Sequence, residues 1–404
     1  MNVLERFLKL VSFETTSDPA SPTNPSTPGQ KVLGEEIVRQ MLEMGITDAH
    51  MDEHGYVYGT VPGTAAGPVI GLIAHMDTSP DASGKDIKVK VTEPYDGKDL
   101  LLNAEQDIWL SPEEYPALNE HVGKHLIVTD GTTLLGADDK AGVAEILAAA
   151  DYLLHCGKPH ATLRIGFTPD EEIGRGADRF DIPGFAADYA YTVDGGGIGE
   201  LEYENFNGAS ATVEIFGKSI HPGSARAKMK NAALLAMEFN ALLPAYEIPA
   251  CTDGYQGFYH LTDMVGDVEY AKLSYILRDH DMDKLQARRA LMEKAGVYFN
   301  EKHGEGTVKV ETWDRYRNMK EKILPHMYII ERAKQAMLDC GITPKVVPIR
   351  GGTDGATLSW KGLPCPNLCT GGENFHGRFE YLPLEDMEKI AELLSTILIN
   401  AAEI

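Results

Sequence analysis

Two adjacent carboxylates, Asp138 and Asp139, stand in the stretch Leu135-Gly136-Ala137-Asp138-Asp139-Lys140-Ala141-Gly142, ahead of a long run of apolar residues at helical spacing. Asp at a helix start has an ordinary task, because it caps free amides and complements the positive end of the helix dipole. The pair becomes a candidate for metal chemistry because other stretches offer further ligands of the types that divalent zinc accepts. His75 and Asp77 are two apart, so they project to one side of an extended chain. A carboxylate beside a histidine fixes the ring tautomer and raises its basicity as a ligand. Glu171 and Glu172 follow the apolar run 162–168, and Asp194 follows the run 189–193. His376 lies in Gly371-Gly372-Glu373-Asn374-Phe375-His376-Gly377, where glycine permits close approach to a crowded site. Each residue alone has a structural reading as a satisfied histidine, a cap or a solvated acid. Three apolar runs that end in His, Glu and Asp are harder to explain in that way.

The elements that must position these residues follow from the apolar pattern. Val69-Ile70-Gly71-Leu72-Ile73-Ala74 is a continuous apolar run, as expected of a strand buried on both faces, and it ends at His75. The runs 162–168 and 189–193 read likewise, and open α/β sheets place ligands at the carboxyl ends of such strands. Helices are expected over 2–12 and 30–44, separated by a Pro-rich surface loop at 18–29. A helix after Asp138 runs on Val143, Ile146, Leu147, Ala150, Leu153 and Leu154 until Gly157 and Pro159 stop it. Strands are expected over 85–91 and 125–129, with loop between 96 and 120. From 205 the order changes: strand 210–216, helix 228–243, strands 257–265 and 269–278, helix 281–295, strand 306–313. That is the β-α-β-β-α-β order of a ferredoxin-like unit. Helices at 322–340 and 384–402 return to the first sheet. The expected fold is therefore α/β, a mixed, mostly parallel sheet flanked by helices, with an inserted ferredoxin-like α+β domain. The boundaries are 1–206 and 315–404 for a catalytic domain and 207–314 for an inserted lid or dimerisation-type domain.

A chain of 404 residues is long enough for two or three domains. With 43% hydrophobic and 24% charged residues it has the composition of an ordinary globular protein. A net charge of -24 repels phosphate backbones and anionic lipid, which argues against nucleic acid and membrane as partners. Five cysteines, with Cys365 and Cys369 the one close pair, show no C-x-x-C spacing. A disulfide framework is not expected, and a reducing cytoplasm fits. The stretch Met1-Asn2-Val3-Leu4-Glu5-Arg6-Phe7-Leu8 reads as an amphipathic helix with internal charges, unlike a secretory signal, and no run nears the ~18 apolar residues of a membrane span. A soluble, unexported protein is expected.

His75-x-Asp77, Asp138-Asp139-Lys140, Glu171-Glu172, Asp194 and His376, in that order, resemble the pattern of the di-zinc amidohydrolases and peptidases of the M20 clan. The resemblance covers nearly the whole chain, including the insertion. Gly136 to Gly142, Ser219-Ile220-His221-Pro222-Gly223-Ser224-Ala225 and Pro348-Ile349-Arg350-Gly351-Gly352-Thr353-Asp354-Gly355 bring it closer to the tripeptide aminopeptidases of that clan. It implies two Zn2+ ions, with Co2+ or Mn2+ as alternatives: His75 and Asp194 on one, Glu172 and His376 on the other, Asp138 bridging both. It implies Glu171 as general base, Asp77 orienting His75, and a cis peptide between Asp138 and Asp139. In the insertion, His221 would stabilise the oxyanion, while Asn231, Arg278 and Arg350 would contact the peptide or its carboxylate. The planar fork of Arg suits a carboxylate, although ordinary ion pairs for Arg278 and Arg350, and a plain turn at Pro222-Gly223, stay open. The implied activity is release of the N-terminal residue of tripeptides, leaving a dipeptide. A clan member acting on dipeptides or N-acyl amino acids is the near alternative, and an idle binding homologue the distant one. Glu171 beside Glu172 argues against the latter, since binding alone needs no free base. A homodimer stays open.

Overall fold

The computed structural model describes residues 1–402, which divide into two compact units. The first comprises Met1–Tyr203, Met319–Val347 and the described residues from Thr353 onward. Its apolar runs form an eight-stranded sheet in the order His50–Met51, Val57–Val61, Thr162–Thr168, Val69–His75, Tyr189–Gly195, Asn367–Cys369, Glu200–Glu202, Lys345–Val346. The four central strands, from Thr162–Thr168 to Asn367–Cys369, are mutually parallel, and antiparallel pairs flank them. Their continuous hydrophobicity follows from burial on both faces: Ile70, Leu72, Ile73, Leu163, Ile165, Phe167, Ala190, Tyr191 and Val193 are all fully buried. Helix Ala137–His155 lies on this sheet at Gly142, where an added Cβ would come within 2.0 Å of the Val193 carbonyl oxygen. The glycine sets how closely the helix start approaches the end of the Tyr189–Gly195 strand.

Several expectations for this unit need correction. The strand expected over 85–91 is Lys90–Pro94, because Asp86 takes a positive φ of 55° that no extended strand allows. It pairs with His125–Val128, whose other edge takes Leu382–Pro383, in a separate three-stranded sheet, so the run at 125 does not join the main sheet. The stretch expected as loop, 96–120, carries the hairpin Leu100–Asn103 and Ile108–Leu110 and the short helix Pro116–His121. Leu110, Leu118, Leu126, Val128, Tyr95 and Tyr381 bury one another there, a small core whose members are too scattered in sequence to show a period. The helix expected over 322–340 is divided into Lys320–Ile323, Leu324–His326 and Tyr328–Asp339. Pro325 lacks the N–H that a continuous helix would need.

The second unit comprises Glu204–Asn318 with Pro348–Gly352, a wider span than the expected 207–314. Its four-stranded antiparallel sheet runs Phe258–Gly266, Tyr270–Asp279, Asn207–Phe216, Val308–Tyr316, and helices Ala232–Asn240 and Met282–His303 interleave with the strands in β-α-β-β-α-β order. Asn231 and Asp281 start the helices by accepting hydrogen bonds from the backbone N–H of Leu234 and Lys284. Alternation decides the core: Ala209, Ala211, Val213 and Ile215 from one strand and Ala271, Leu273, Tyr275 and Leu277 from its neighbour face Phe239, Met292 and Phe299. The second helix continues past the expected residue 295 because Phe299 packs edge-on against Phe239, ring centres 5.6 Å apart. Replacing fully buried Phe299 by Ala should cost about 3–5 kcal/mol of this unit's stability, read as an earlier urea transition. An unmoved transition would contradict the packing described.

Candidate metal centre

His75 is the last residue of the Val69–His75 strand, and Asp194 the penultimate residue of Tyr189–Gly195. Glu171 and Glu172 occupy the short turn Glu171–Ile173 just beyond Thr162–Thr168. The parallel register brings these three strand ends to one edge of the sheet. His75 Nε2 lies 2.8 Å from Asp138 Oδ1 and 3.4 Å from Asp194 Oδ1. His376 Nε2 lies 3.1 Å from Asp138 Oδ2 and 2.9 Å from Glu172 Oε2. The two oxygens of Asp138 thus face two different histidines, one accompanied by Asp194 and the other by Glu172.

Asp77 is fully buried beneath this arrangement. Its carboxylate accepts hydrogen bonds from the backbone N–H of Glu171 at 3.0 Å and of Glu172 at 3.2 Å, and one oxygen is 3.3 Å from His75 Nδ1. The same carboxylate therefore ties down the ring of His75 and the turn that carries both glutamates. Asp138 and Asp139 are joined by a cis peptide and depart from helical φ/ψ at the head of the helix. The Asp139 oxygens accept from the backbone N–H of His75 at 3.1 Å and of Gly142 at 3.3 Å.

The donor set suits divalent cations. His75, Asp138 and Glu172 each offer a ligand atom within 4.8 Å of the others, and so do His75, Asp139 and Asp194. Among the described residues, Glu172 Oε1 is buried without a hydrogen-bond partner. Crowded carboxylates also repel one another. Burial, reinforced by Asp138, pushes Glu172 up to about 8, and burial pushes Asp194 up to about 6. Burial and Asp194 raise Glu171 well above the ordinary range. Burial lifts Asp354, which lies in the Pro348 to Gly355 stretch, to about 7. Hydrogen bonds to Asp138 and Glu172 raise His376 to about 11. Against the cost of burial, His376 and His75 hold Asp138 well below the usual carboxylate value. Positive charge at this place would relieve the repulsion, as an ion outweighs the local side-chain charges.

The remaining sequence-derived candidates lie in the second unit and have partners there. His221 Nδ1 accepts from the Gly223 N–H at 3.1 Å in an exposed turn, and Asn231 caps its helix. Arg278 lies over the Tyr316 ring, 4.8 Å from its centre, and donates to the carbonyl oxygens of Ala209 and Leu277 at 3.2 and 3.0 Å. Arg350 lies over Phe206 and Phe258 and donates to the carbonyls of Thr252, Gly254 and Gln256.

Sequence reasoning passed over three acids around the centre. Asp170, at a positive φ of 58°, accepts from Ser26 N–H and Gln30 Nε2, both at 2.7 Å, and so anchors the Pro-rich loop to the base of the Glu171 turn. Asp81 Oδ2 is 3.4 Å from His376 Nδ1. Glu380, four residues after His376, accepts hydrogen bonds from the backbone of 135–138. The spacing of Glu380 from His376 was a visible signal. Residue type alone does not separate it from a solvated acid.

The model of the family described as Peptidase family M20/M25/M40 matches residues 129–400. The chain is 52% identical over 399 residues to Peptidase T of Halothermothrix orenii, an alignment covering 98% of each. Its fold is similar to the crystal structure of aminopeptidase PepT from Bacillus cereus, with a TM-score of 0.77, 26% identity, and coverage of 100% of this chain and 98% of that one. A tripeptidase from Staphylococcus aureus shares the fold at a TM-score of 0.78 and 22% identity, covering 99% of this chain and 98% of the other.

Crowding at the centre has a pH signature. A carboxyl group raised in the fold contributes most below its unfolded value, and that contribution is lost as pH rises through its folded value. For Asp194, Glu172 and Asp354 the loss begins near pH 4 to 5 and runs through pH 6 to 8. His376 has the same sign from its ordinary 6.5 upward, while Lys140, pushed down to about 7 by burial, opposes it only above that value. Chelator-stripped protein should therefore melt at lower temperature at pH 7 than at pH 5, and saturating Zn2+ should reduce the difference. A stripped protein that melts higher at pH 7 would contradict this electrostatic picture.

Proposed function

The chain belongs to peptidase family M20/M25/M40, and from that premise we propose that it is a metal-dependent aminopeptidase that hydrolyses the N-terminal peptide bond of tripeptides, releasing an amino acid and a dipeptide. The observation that carries the reading is Asp138, with one oxygen toward His75 and the other toward His376. His75 and Asp194 would hold one divalent cation, Glu172 and His376 a second, and Asp138 both. Zinc suits this nitrogen and oxygen donor set. Two such ions, when bound, polarise the scissile carbonyl and make water a stronger nucleophile at neutral pH.

The remaining work falls to this chain's own side chains. Glu171 stands beside the ligand Glu172, and it acts as the base: it takes a proton from the attacking water and delivers it to the leaving amine. A buried carboxyl group suits both steps, because its raised proton affinity falls when cationic charge is near and returns as negative charge develops. Asp77 holds His75 and the Glu171 turn together, so the base keeps its distance from the ligands. His221, Asn231, Arg278 and Arg350 are the substrate-binding set of this proposal, with His221 assigned to the oxyanion and the arginines to a carboxylate. Five unpaired cysteines among the described residues accord with a reducing cytoplasm.

The test is a panel of free, N-acetylated and C-amidated di-, tri- and tetrapeptides, each with and without chelator. Cleavage of free tripeptides that is lost on N-acetylation and on chelation is the expected result. Cleavage of dipeptides or N-acyl amino acids in their place would replace the tripeptide assignment with another amidohydrolase activity. Glu171→Gln should keep its metal content and lose roughly 10²- to 10⁴-fold in kcat. Wild-type turnover in that variant would remove Glu171 as the base.

A further inference from the structure

The turn that delivers Asp138 has its backbone N–H groups pointing at a single anion. Glu380 Oε2 accepts from Leu135 N at 2.6 Å and from Gly136 N at 2.8 Å, and Oε1 accepts from Asp138 N at 3.1 Å. Gly136, at φ 78°, turns successive amides to one side, which forms an anion-binding concavity. Glu380 fills it and is itself buried at 2% exposure. Hydrogen bonds from several amides to one ionised carboxylate are strong and directional.

The same loop carries His376. Glu373 and Tyr381 close it with paired backbone hydrogen bonds at 2.9 and 3.1 Å, Glu380 N donates to Gly377 O at 3.2 Å, and Asn374 Nδ2 donates to Phe379 O at 3.1 Å. Asn374 and His376 both sit at positive φ, 59° and 62°. The His376 side chain is 43% exposed, whereas that of His75 is 2% exposed and rises from a central strand. Packing fixes His75. The His376 loop is held at its start by Gly371 N, which donates to Gly196 O at 2.9 Å, and at its end by Glu380, which fastens it to the turn bearing Asp138.

We propose that Glu380 is a positioning residue that clamps the His376 loop to the Asp138 turn, and so sets the affinity of the cation held by Glu172 and His376 selectively over that held by His75 and Asp194. The inference rests on the two-cation reading above. A plain structural cap would make a different mark, because loosening the turn alone would move Asp138 for both cations alike.

The experiment is a Zn2+ titration of chelator-stripped wild-type, Glu380→Gln, Glu380→Asp, His376→Ala and Glu380→Gln/His376→Ala proteins against a chromophoric competitor, with a thermal melt of each stripped protein. Glu380→Gln keeps the shape but loses the second acceptor oxygen and the charge. Glu380→Asp keeps the charge but withdraws both oxygens, and it serves if the first variant does not fold. Wild type should bind two Zn2+ ions. In either Glu380 variant one binding step should weaken about 10- to 100-fold and the other hold near its wild-type value. In the His376→Ala background Glu380→Gln should add no further loss, because the interaction it supports is already gone. Unchanged steps, equal weakening of both, or a further loss in the double variant would overturn the clamp while leaving the two-cation reading standing. A wild type that binds fewer than two ions would overturn that reading and the clamp with it.

Discussion

The structure turns on one carboxylate that meets two histidines drawn from distant parts of the chain. Asp138 must place one oxygen toward His75 and the other toward His376, and much of the first unit follows from that demand. His75 is held by a strand buried on both faces. Asp138 is held by a turn whose amides converge on Glu380 and by a helix start that meets the sheet at Gly142. A side chain on a mobile surface loop could not keep two such contacts. Here the rigid elements bear one histidine and the bridging acid, and a fastened loop bears the other.

Electrostatics sets the second constraint. Glu171, Glu172, Asp138, Asp139, Asp194 and Asp354 crowd the buried His75 and the partly exposed His376. Without cations the fold must keep several acids protonated or bear their repulsion, and each such shift is a cost in stability at neutral pH. Affinity for divalent cations and instability of the stripped protein are thus two faces of one arrangement. Asp77 shows how the arrangement stays ordered: its carboxylate serves the His75 ring and two backbone amides of the glutamate turn at once.

Much of this was legible in the amino-acid sequence for a physical reason. Strands buried on both faces must be continuously apolar, so 69–74, 162–168 and 189–193 announce themselves, and the polar residues just past their ends stand out against them. The β-α-β-β-α-β insertion was legible in the same way, from alternation on strands such as Asn207–Phe216. What escaped was held together by contacts distant in sequence. The small sheet of Lys90–Pro94, His125–Val128 and Leu382–Pro383 joins segments far apart in the chain, each too short to show a period. Glu380 and Asp170 accept from backbone amides, and a backbone amide leaves no trace in residue identity. Arg278 and Arg350 show the same division: residue type suits them to a carboxylate, while the aromatic rings they lie over and the carbonyl oxygens that accept from them are supplied by the fold of their own unit.

The most direct measurement of the central claim is a crystal structure of the Zn2+-loaded protein with anomalous difference maps at the zinc edge. Two peaks roughly 3.5–4 Å apart are expected, with Asp138 between them, His75 and Asp194 on one, Glu172 and His376 on the other. A single peak, or two peaks of which Asp138 touches only one, would contradict the account.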